Sequence, residues 1–389
     1  MKAHMNQYMT QISQYIDGHR DEMLHFWKDL VNFQAGSRET DRIEALLRRT
    51  MGRLEEEGLD CRLIPSGGVP VLLATDGARR SGRPIFLCGH LDTVFPDGTY
   101  PEAPFTIQDG VARGPGVLDM KGGVAMMVYM IKALRHIGFD RCPIKLLLCG
   151  DEEISHDGTC AAQIIQQEAE GCQYAFNMEI GRMDRCLSVG RKGSLDCRVT
   201  VTGKSGHVGN DFLSGRNAIE EMAHKVLALQ GLSRYEEGVV VSVDVISGGT
   251  VSNSIPDRCQ IDVDARFSRA ADLPVLKEQI SQVCAVTHVD GTCTTVEFLN
   301  TMPVFERNDA NLALLDRVNQ VAEAYGFSPF GEAFPGGSSD TSYVAAAGVP
   351  AVCSCGVQGG GAHTLEEYAI VETLFERAKI FAAVIAQTG

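Results

Sequence analysis

Five side chains in this sequence are of the types that bind catalytic metal ions. They are His90, Asp119, Glu153, Glu179 and His363. Imidazole nitrogen and carboxylate oxygen, without cysteine, suit zinc and also manganese or cobalt. A single catalytic ion must keep an open coordination position, so five ligands are too many for it. They fit two ions about 3.5–4 Å apart that share one carboxylate. The charges of two divalent cations, three carboxylates and one hydroxide then sum to zero.

The surrounding sequence predicts that these side chains meet at one edge of a sheet. Four apolar runs are typical of strands buried on both faces. They are Ile85–Cys88, Ile144–Cys149, Tyr174–Met178 and Pro350–Cys353. The polar groups that follow them are, in the same order, His90, Asp151-Glu152-Glu153, Glu179 and, after a glycine-rich loop, His363. Ligands of parallel α/β sheets bind at the carboxyl ends of the strands.

The arrangement of elements predicts an α/β fold with an inserted domain. Helical patterns such as Lys121–Gly138 and Cys160–Gly171 lie between the apolar runs, which favours a mostly parallel sheet covered by helices. Residues 191–299 instead follow a βαββαβ order, the ferredoxin-like pattern. We therefore expect one domain from residues 1–190 and 300–389 and a second from residues 191–299.

The composition argues against some classes of binding partner and indicates a cellular compartment. The chain has 35 Lys+Arg and 50 Asp+Glu, a formal net charge of -15, which argues against nucleic acid and anionic membranes as partners. No apolar run has membrane-spanning length, and residues 1–18 lack the apolar core of a secretion signal. The 13 cysteines are odd in number and scattered, as in reduced proteins, so we expect a cytoplasmic location.

Two other enzyme classes fit the motifs poorly. The Gly114-Pro115-Gly116 turn lacks the third glycine of a dinucleotide fingerprint, and no phosphate-binding GxxxxGK[ST] is present. No G-x-S-x-G elbow follows a strand, which disfavours a Ser-His-Asp hydrolase.

Several motifs in one order carry a family resemblance. They are Gly89-His90-Leu91-Asp92-Thr93-Val94, Gly114–Gly123, Asp151-Glu152-Glu153, Gly203–His207, Val251–Pro256, Gly336–Asp340 and His363. The sequence resembles the di-zinc metallopeptidase family of carboxypeptidase G (glutamate carboxypeptidase), aminoacylase, acetylornithine deacetylase and succinyl-diaminopimelate desuccinylase. The match spans almost the whole chain. It is nearest to the carboxypeptidase G branch in the Gly203–His207 and Val251–Pro256 motifs.

The resemblance implies a zinc-peptidase-like catalytic domain and an inserted lid and dimerisation domain in a homodimer. It implies two Zn2+ per chain, with Co2+ or Mn2+ as possible substitutes, and Asp119 as the bridging ligand. His90 and Glu179 would share one metal, with Glu153 and His363 on the other, or with these pairs exchanged. The family also suggests a cis peptide bond between Asp119 and Met120, which the residue pattern leaves open.

The resemblance also implies roles around the metals. Glu152 would be the general base, and Asp92 would orient His90. His207 would stabilise the oxyanion in the active site of the other subunit. The substrate would be held by Asn253, Arg266 and the backbone of Gly336, Gly337 and Ser338. From the residues alone, His207 could be a loop residue and Asn253 a turn former, while Arg266 could pair with Asp262 or Asp264.

These features predict a hydrolase that cleaves a peptide or N-acyl amide bond next to a free carboxylate through a metal-bridging hydroxide. A glutamate carboxypeptidase-like activity is the first expectation, and an aminoacylase or deacetylase is the alternative. Arg185, Arg191 and Lys192 are candidates for binding an acidic side chain. A non-catalytic peptide-binding protein on the same fold stays open as a different class.

Overall fold

The computed structural model describes residues 2–387 of the chain, with side chains from residue 7 onward. Its helices are α1 (Lys2–Gly18), α2 (Arg20–Asn32), α3 (Thr40–Glu56), α4 (Gly122–His136), α5 (Ala161–Ala169), α6 (Ala218–Gln230), α7 (Asp272–Ala285), α8 (Asp309–Ala324), α9 (Thr341–Ala346) and α10 (Val371–Ala386). Shorter helical turns span Val117–Lys121, Glu152–Ile154 and Tyr235–Glu237.

The strands are short in one part of the chain and long in another. They are β1 (Asp60–Ile64), β2 (Val71–Asp76), β3 (Ile85–His90), β4 (Thr106–Gln108), β5 (Val111–Arg113), β6 (Ile144–Cys149), β7 (Ala175–Asn177), β8 (Cys186–Ser188), β9 (Gly193–Thr202), β10 (Gly206–His207), β11 (Val240–Gly248), β12 (Ser254–Ile255), β13 (Arg258–Phe267), β14 (Cys293–Met302), β15 (Gly331–Ala333), β16 (Ala351–Val352), β17 (Gly359–Gly360) and β18 (Tyr368–Ile370).

The described chain divides into two compact units. The first, here called unit 1, contains residues 2–190, 307–335 and 339–387, and the second, unit 2, contains residues 191–306 and 336–338. Each unit has its own apolar core.

Unit 1 is built on a six-stranded sheet in the order β1-β2-β6-β3-β7-β16. The four strands predicted from apolar runs are neighbours in it and run parallel. Their side chains are almost all buried, because helices such as α4 pack against them. Two antiparallel strands, β1 and β2, extend the sheet at one edge. The predicted α/β fold with a mostly parallel sheet is therefore confirmed.

Unit 2 follows the predicted βαββαβ order. Its four-stranded antiparallel sheet has the order β11-β13-β9-β14, and α6 and α7 pack on it. Alternate residues of β13, from Cys259 to Phe267, are buried, and those between them are more exposed. This period of two is expected of a sheet covered on one face only.

The N-terminal segment departs from a single helical pattern. The spacing from Met5 to Leu30 is roughly helical, but the structure has two helices, α1 and α2, which are interrupted at His19. The interruption follows Gly18, and glycine is a poor helix former. No helix within residues 2–387 is long and apolar enough to cross a bilayer. All 13 cysteines lie in the described region and are unpaired, and the cytoplasmic location stays a prediction.

Unit 2 contains a fully buried ion pair that links α6 to the chain after α7. The Lys225 ammonium lies 2.9 Å from the Glu221 carboxylate, and both side chains are 0% exposed. Glu221 also accepts the backbone N–H groups of His288 and Val289, while Lys225 donates to the carbonyl of Val283. Among residues 7–387, each charge is therefore compensated by the other and by backbone groups.

We expect Lys225→Met to lower the stability of unit 2 by about 3–5 kcal/mol, because a buried carboxylate loses its only countercharge. Hydrogen exchange of the β9 and β13 amides would measure this locally. Arg258→Met, an exposed change in the same unit, should alter it by less than about 1 kcal/mol. An equally small effect of Lys225→Met would show that the pair contributes no more than a surface ion pair.

Candidate metal centre

The parallel strands of unit 1 bring the predicted metal-binding side chains to one edge of the sheet. His90 is the last residue of β3 and pairs in register with Cys149, the last residue of β6. The Asp151-Glu152-Glu153 turn therefore begins beside His90. Cys88 pairs with Asn177 of β7, so that Glu179 emerges next to His90 on its other side. The alignment of strand ends follows from the parallel register.

The five side chains form two groups that share Asp119. His90, Asp119 and Glu179 make one group, and Asp119, Glu153 and His363 make the other. Within each group the ligand atoms lie within 4.8 Å of one another.

Distances between side chains show how Asp119 connects the groups. Its Oδ1 lies 3.2 Å from Nε2 of His90, and its Oδ2 lies 3.1 Å from Nε2 of His363. Nε2 of His90 is 3.7 Å from Glu179, and Nε2 of His363 is 3.2 Å from Glu153. One oxygen of Asp119 therefore faces each group, as a bridging carboxylate requires.

Two glycines allow the chain to approach the Glu179 segment closely. A Cβ atom on Gly123, in the first turn of α4, would overlap the carbonyl oxygen of Met178. A Cβ on Gly356 would overlap the same oxygen and lie 2.7 Å from the carbonyl of Glu179. Neither position accommodates a larger residue without movement of the segment that carries Glu179.

Asp92 is fully buried and contacts both His90 and the acidic turn. Nδ1 of His90 hydrogen-bonds to the backbone carbonyl oxygen of Asp92 at 3.1 Å and lies 3.3 Å from its Oδ1, so Asp92 holds the ring with Nε2 toward Asp119. Its two oxygens also accept the N–H groups of Glu152 and Glu153, at 3.3 and 3.1 Å. Asp92 thus orients one predicted ligand, His90, and the backbone of another, Glu153.

The negative charges of this cluster favour the binding of cations. Burial and the nearby Glu179 carboxylate raise the pKa of Glu152 well above its usual range. Burial and the charge of Asp119 also raise the pKa of Glu153. Hydrogen bonds to Asp119 and Glu153 raise the pKa of His363 to about 10. The carboxylates therefore repel one another, and protons on the imidazoles partly compensate them.

The donor set fits two divalent ions. Three carboxylates and two imidazoles present their ligand atoms in two groups around one shared residue. Divalent cations would replace the imidazole protons as the compensating charge. The peptide bond between Asp119 and Met120 is cis, as the family resemblance suggested.

A buried carboxylate outside the predicted set anchors the Asp119 loop. Glu367 accepts the backbone N–H groups of Gly116, Leu118 and Asp119, at 3.1, 2.7 and 3.0 Å. It follows His363 by four residues, so it ties the segment that carries one imidazole to the segment that carries the shared carboxylate. In the sequence it is one of two adjacent glutamates, and nothing in its spacing distinguishes it.

In unit 2, His207 and Asn253 belong to one small antiparallel ribbon. His207 of β10 pairs in register with Ser254 of β12, and the carbonyl of Asn253 accepts the N–H of Val208 at 3.1 Å. Both residues are exposed, so their side chains are accessible. Their roles toward substrate stay predictions.

Arg266 has a partner within its own strand. Its guanidinium donates to both oxygens of Asp264, at 2.7 and 2.5 Å, and the side chain is 34% exposed. This is one of the two structural pairings that the sequence allows, while Asp262 pairs with Arg198. A substrate carboxylate would therefore have to share Arg266 with Asp264 or displace it.

The Gly336-Gly337-Ser338 loop clusters with unit 2. The Arg191 guanidinium donates to the carbonyl of Gly337 at 3.1 Å, and the hydroxyl of Ser338 donates to the carbonyl of Lys192 at 3.0 Å. Arg185 instead belongs to unit 1, where it forms an ion pair with Glu376.

Comparison with known proteins agrees with this geometry. The model of Peptidase family M20/M25/M40 matches residues 86–387. The chain belongs to this family. The resemblance seen in the motifs is thereby confirmed, and so is the prediction of a metallopeptidase-type hydrolase.

Individual relatives of this M20 chain cover nearly its whole length. Carboxypeptidase G2 of Pseudomonas sp. (strain RS-16) is 27% identical over 365 residues, 92% of this chain and 88% of the relative. A succinyl-diaminopimelate desuccinylase of Xanthomonas oryzae pv. oryzae (strain PXO99A) is 28% identical over 374 residues, 91% of this chain and 95% of the relative. Aminopeptidase PepT from Bacillus cereus shares the fold, with a TM-score of 0.79 at 21% identity over 94% of this chain and 98% of that one.

A second buried side chain that the sequence did not predict contacts the Asp151-Glu152-Glu153 turn of this M20 centre. The His156 ring is buried between two carboxylates, with Nδ1 2.7 Å from Asp151 and Nε2 2.7 Å from Asp340. Burial disfavours the charged ring, but Asp340 and Asp151 outweigh it and raise the pKa of His156 to about 11. Asp151 also accepts the hydroxyl of Thr159 at 2.6 Å. The imidazolium thus joins the turn that carries Glu152 to the start of α9.

We expect His156→Gln to destabilise unit 1 by about 3–5 kcal/mol near neutral pH, because two buried carboxylates lose their shared cation. The pKa is raised above the usual 6.5, so the stabilisation is complete below about pH 6.5 and is lost progressively as pH rises toward 11. Chemical unfolding of wild type and variant from pH 6 to pH 10 would measure this.

The exposed change His25→Gln serves as the matched control and should leave stability unchanged at every pH. A His156→Gln effect that stays constant from pH 6 to pH 10 would contradict a charged imidazole, because it would mean that folding binds no extra proton at the His156 bridge.

Proposed function

We propose that this M20 enzyme is a zinc-dependent hydrolase that cleaves a peptide or N-acyl amide bond next to a free carboxylate. The observation that carries the proposal is the pair of donor groups joined by Asp119, with Glu152 in the turn whose backbone Asp92 holds. A glutamate carboxypeptidase-like activity is the first choice, and an aminoacylase-like activity is the second.

The metal proposal assigns His90 and Glu179 to one ion, Glu153 and His363 to the other, and Asp119 to both. The grouping of ligand atoms supports this assignment over the exchanged one. Zinc suits nitrogen and oxygen donors of this kind, and Co2+ or Mn2+ could replace it. When bound, the ions supply Lewis-acid activation of a water molecule and of the scissile carbonyl.

Glu152 is the proposed proton carrier. Its carboxylate takes a proton from the attacking water and delivers it to the leaving nitrogen. Cations beside Glu179 offset the charge that raises the Glu152 pKa, so Glu152 can accept a proton near neutral pH. Asp92 holds the Glu152 backbone and the His90 ring in place through the contacts described above.

Unit 2 supplies the proposed substrate contacts. Arg266 would hold the free carboxylate of the substrate in a bidentate fork, and Asn253 and the Gly336-Gly337-Ser338 backbone would hold the groups around the amide. His207 would stabilise the oxyanion in the partner subunit of a homodimer formed through unit 2. The exposure of His207 and Asn253 on one ribbon supports a role at a surface that meets another molecule.

The choice of substrate rests on the relatives. Carboxypeptidase G2 and succinyl-diaminopimelate desuccinylase are both named for substrates that contain an acidic group. A non-catalytic peptide-binding protein on this fold is disfavoured, because the sequence keeps Glu152 and all five metal-binding side chains.

We expect close to two zinc ions per chain by elemental analysis, and amidase activity that is lost on chelation and restored by metal. Glu152→Gln should retain both ions but lower kcat by about 10²–10⁴-fold, the usual contribution of a general base. The substrates would be folate-glutamate, C-terminal dipeptides and N-acyl amino acids. Glu170→Gln, an exposed change, is the matched control.

The best substrate on this panel would separate the carboxypeptidase-like choice from the aminoacylase-like one. A folded, metal-reconstituted protein without turnover on any of these substrates would overturn both choices and favour the binding protein.

The dimer proposal has a test of its own. Chains carrying Glu152→Gln and chains carrying His207→Ala should each be nearly inactive as homodimers. In mixed dimers, one site combines an intact Glu152 with an intact His207 from the partner chain, so part of the activity should return. Purified heterodimers with two different affinity tags would be assayed, and absence of recovery in them would mean that His207 does not act across the dimer.

A further inference from the structure

The segment that begins with Asp151, Glu152 and Glu153 ends in a strained backbone. Ser155 and His156, two successive residues with side chains, both have left-handed conformations, with φ of 54° and 57°. Residues other than glycine adopt this conformation infrequently, and they keep it where surrounding contacts hold them in place. The shape of the turn that carries Glu152 therefore depends on the contacts of its last residues.

His156 closes this turn by two bonds to Asp151. Its backbone N–H donates to the Asp151 carbonyl at 2.9 Å, and Nδ1 of its ring lies 2.7 Å from the Asp151 carboxylate. The other oxygen of that carboxylate accepts the Thr159 hydroxyl at 2.6 Å. Glu152 and Glu153 lie between the two residues that these bonds join. The position of both glutamates along the turn thus depends on His156.

The second nitrogen of the His156 ring joins the closed turn to a separate element. Nε2 lies 2.7 Å from the carboxylate of Asp340, whose carbonyl accepts the N–H of Tyr343 at 3.0 Å at the start of α9. The adjacent Ser339 hydroxyl donates to the hydroxyl of Thr341 at 3.0 Å, and α9 packs against β16 of the unit 1 sheet. Asp340 is therefore a fixed point to which the turn is attached.

We propose that His156 is a positioning residue for the amide hydrolysis, and that it holds Glu152 at the metal centre by attaching the strained turn to Asp340. The proposal rests on the proposed function of Glu152 as general base. His156 acts through Glu152 and not on the substrate, because both of its ring nitrogens contact carboxylates and its side chain is 2% exposed. Asp92 accepts the N–H of Glu152, but this bond leaves the end of the turn unattached.

Loss of the bridge should affect the chemical step more than metal binding. Without it, Ser155 and His156 can relax toward common backbone conformations, and Glu152 moves with the turn. A misplacement of about 1 Å in a reacting group can lower a rate by about 100-fold. The proposed metal ligands other than Glu153 lie outside this turn, so they should still bind both ions.

Asp340→Ala is the variant that tests the proposal, because it removes one end of the bridge while His156 keeps its pair with Asp151 and the chain can fold. We expect kcat for the best amide substrate to fall by about 10- to 100-fold, with KM and metal content unchanged. Asp340→Asn restores an oxygen acceptor and should recover part of the loss. Asp157→Ala, an exposed change in the same segment, is the matched control and should leave kcat unchanged.

A comparison of amide and ester substrates separates positioning from a loss of folded enzyme. The ester has an oxygen atom in place of the scissile N–H of the best amide. An amine must gain a proton to leave, whereas an alkoxide leaves more readily without one, so a displaced Glu152 should slow amide hydrolysis more than ester hydrolysis. The amide-to-ester ratio of kcat should therefore fall by about 10-fold in Asp340→Ala, and in the same direction in Glu152→Gln. An equal loss on both substrates in Asp340→Ala would overturn the proposal.

Hydrogen exchange separates this proposal from the proposed reaction, because it needs no turnover. Amides of residues 151–160 should exchange about 10-fold faster in Asp340→Ala than in wild type, while those of β3 and β6 should be unchanged. Equal exchange of the turn in both proteins would overturn the proposal even if amides are hydrolysed. If the turn exchanges faster but wild type hydrolyses neither amide nor ester, the proposed reaction fails and the attachment of the turn by His156 stands.

Discussion

The collection of carboxylates at one edge of the unit 1 sheet is the constraint on which the site depends. Asp92, Asp119, Glu152, Glu153 and Glu179 lie on neighbouring strand ends and loops, several of them buried. Such a cluster is unfavourable unless positive charge is placed among its members. The two imidazoles, with their raised pKa values, show how strongly the cluster attracts protons. Divalent cations would neutralise the same carboxylates and would also act as Lewis acids. The same ions would therefore stabilise the cluster and support the proposed catalysis.

The sequence predicts the strands whose residues are nearly all apolar or alternate between apolar and polar. Strands β3 and β6 are apolar except for His90 and Lys145, and β9 and β13 alternate, so the type and burial of these strands follow from the pattern of apolar residues. Strand β1 is harder to predict, because its residues are only partly buried at the edge of the sheet. The very short strands, such as β17, exist because their neighbours pair with them, and local sequence carries no sign of this.

The residues of the candidate metal centre also divide into those that the sequence predicts and those that it does not. Residues directly after buried strands, such as His90 and Glu179, are predictable because parallel strands end at one edge. His156 and Glu367 are not, because each acts through a partner far away in the chain: His156 binds Asp340, and Glu367 binds the Asp119 loop. No local pattern marks a side chain whose role is to hold another loop. Arg266 shows the converse case, since the family role and the pairing with Asp264 were both predictable, and the side chain has a structural partner.

The two units carry different parts of the proposed chemistry. Every residue of the two donor groups belongs to unit 1, whereas His207, Asn253 and Arg266 belong to unit 2. The proposed metal binding can therefore be complete within unit 1 of one chain. The proposed contact of Arg266 with the substrate carboxylate and the proposed oxyanion contact of His207 involve residues of unit 2. Since the acidic turn is held by Asp92 and by the His156 bridge, the geometry of the proposed base is set within unit 1 before any substrate arrives. It follows that changes in unit 2 should alter KM and oxyanion stabilisation while leaving metal content intact.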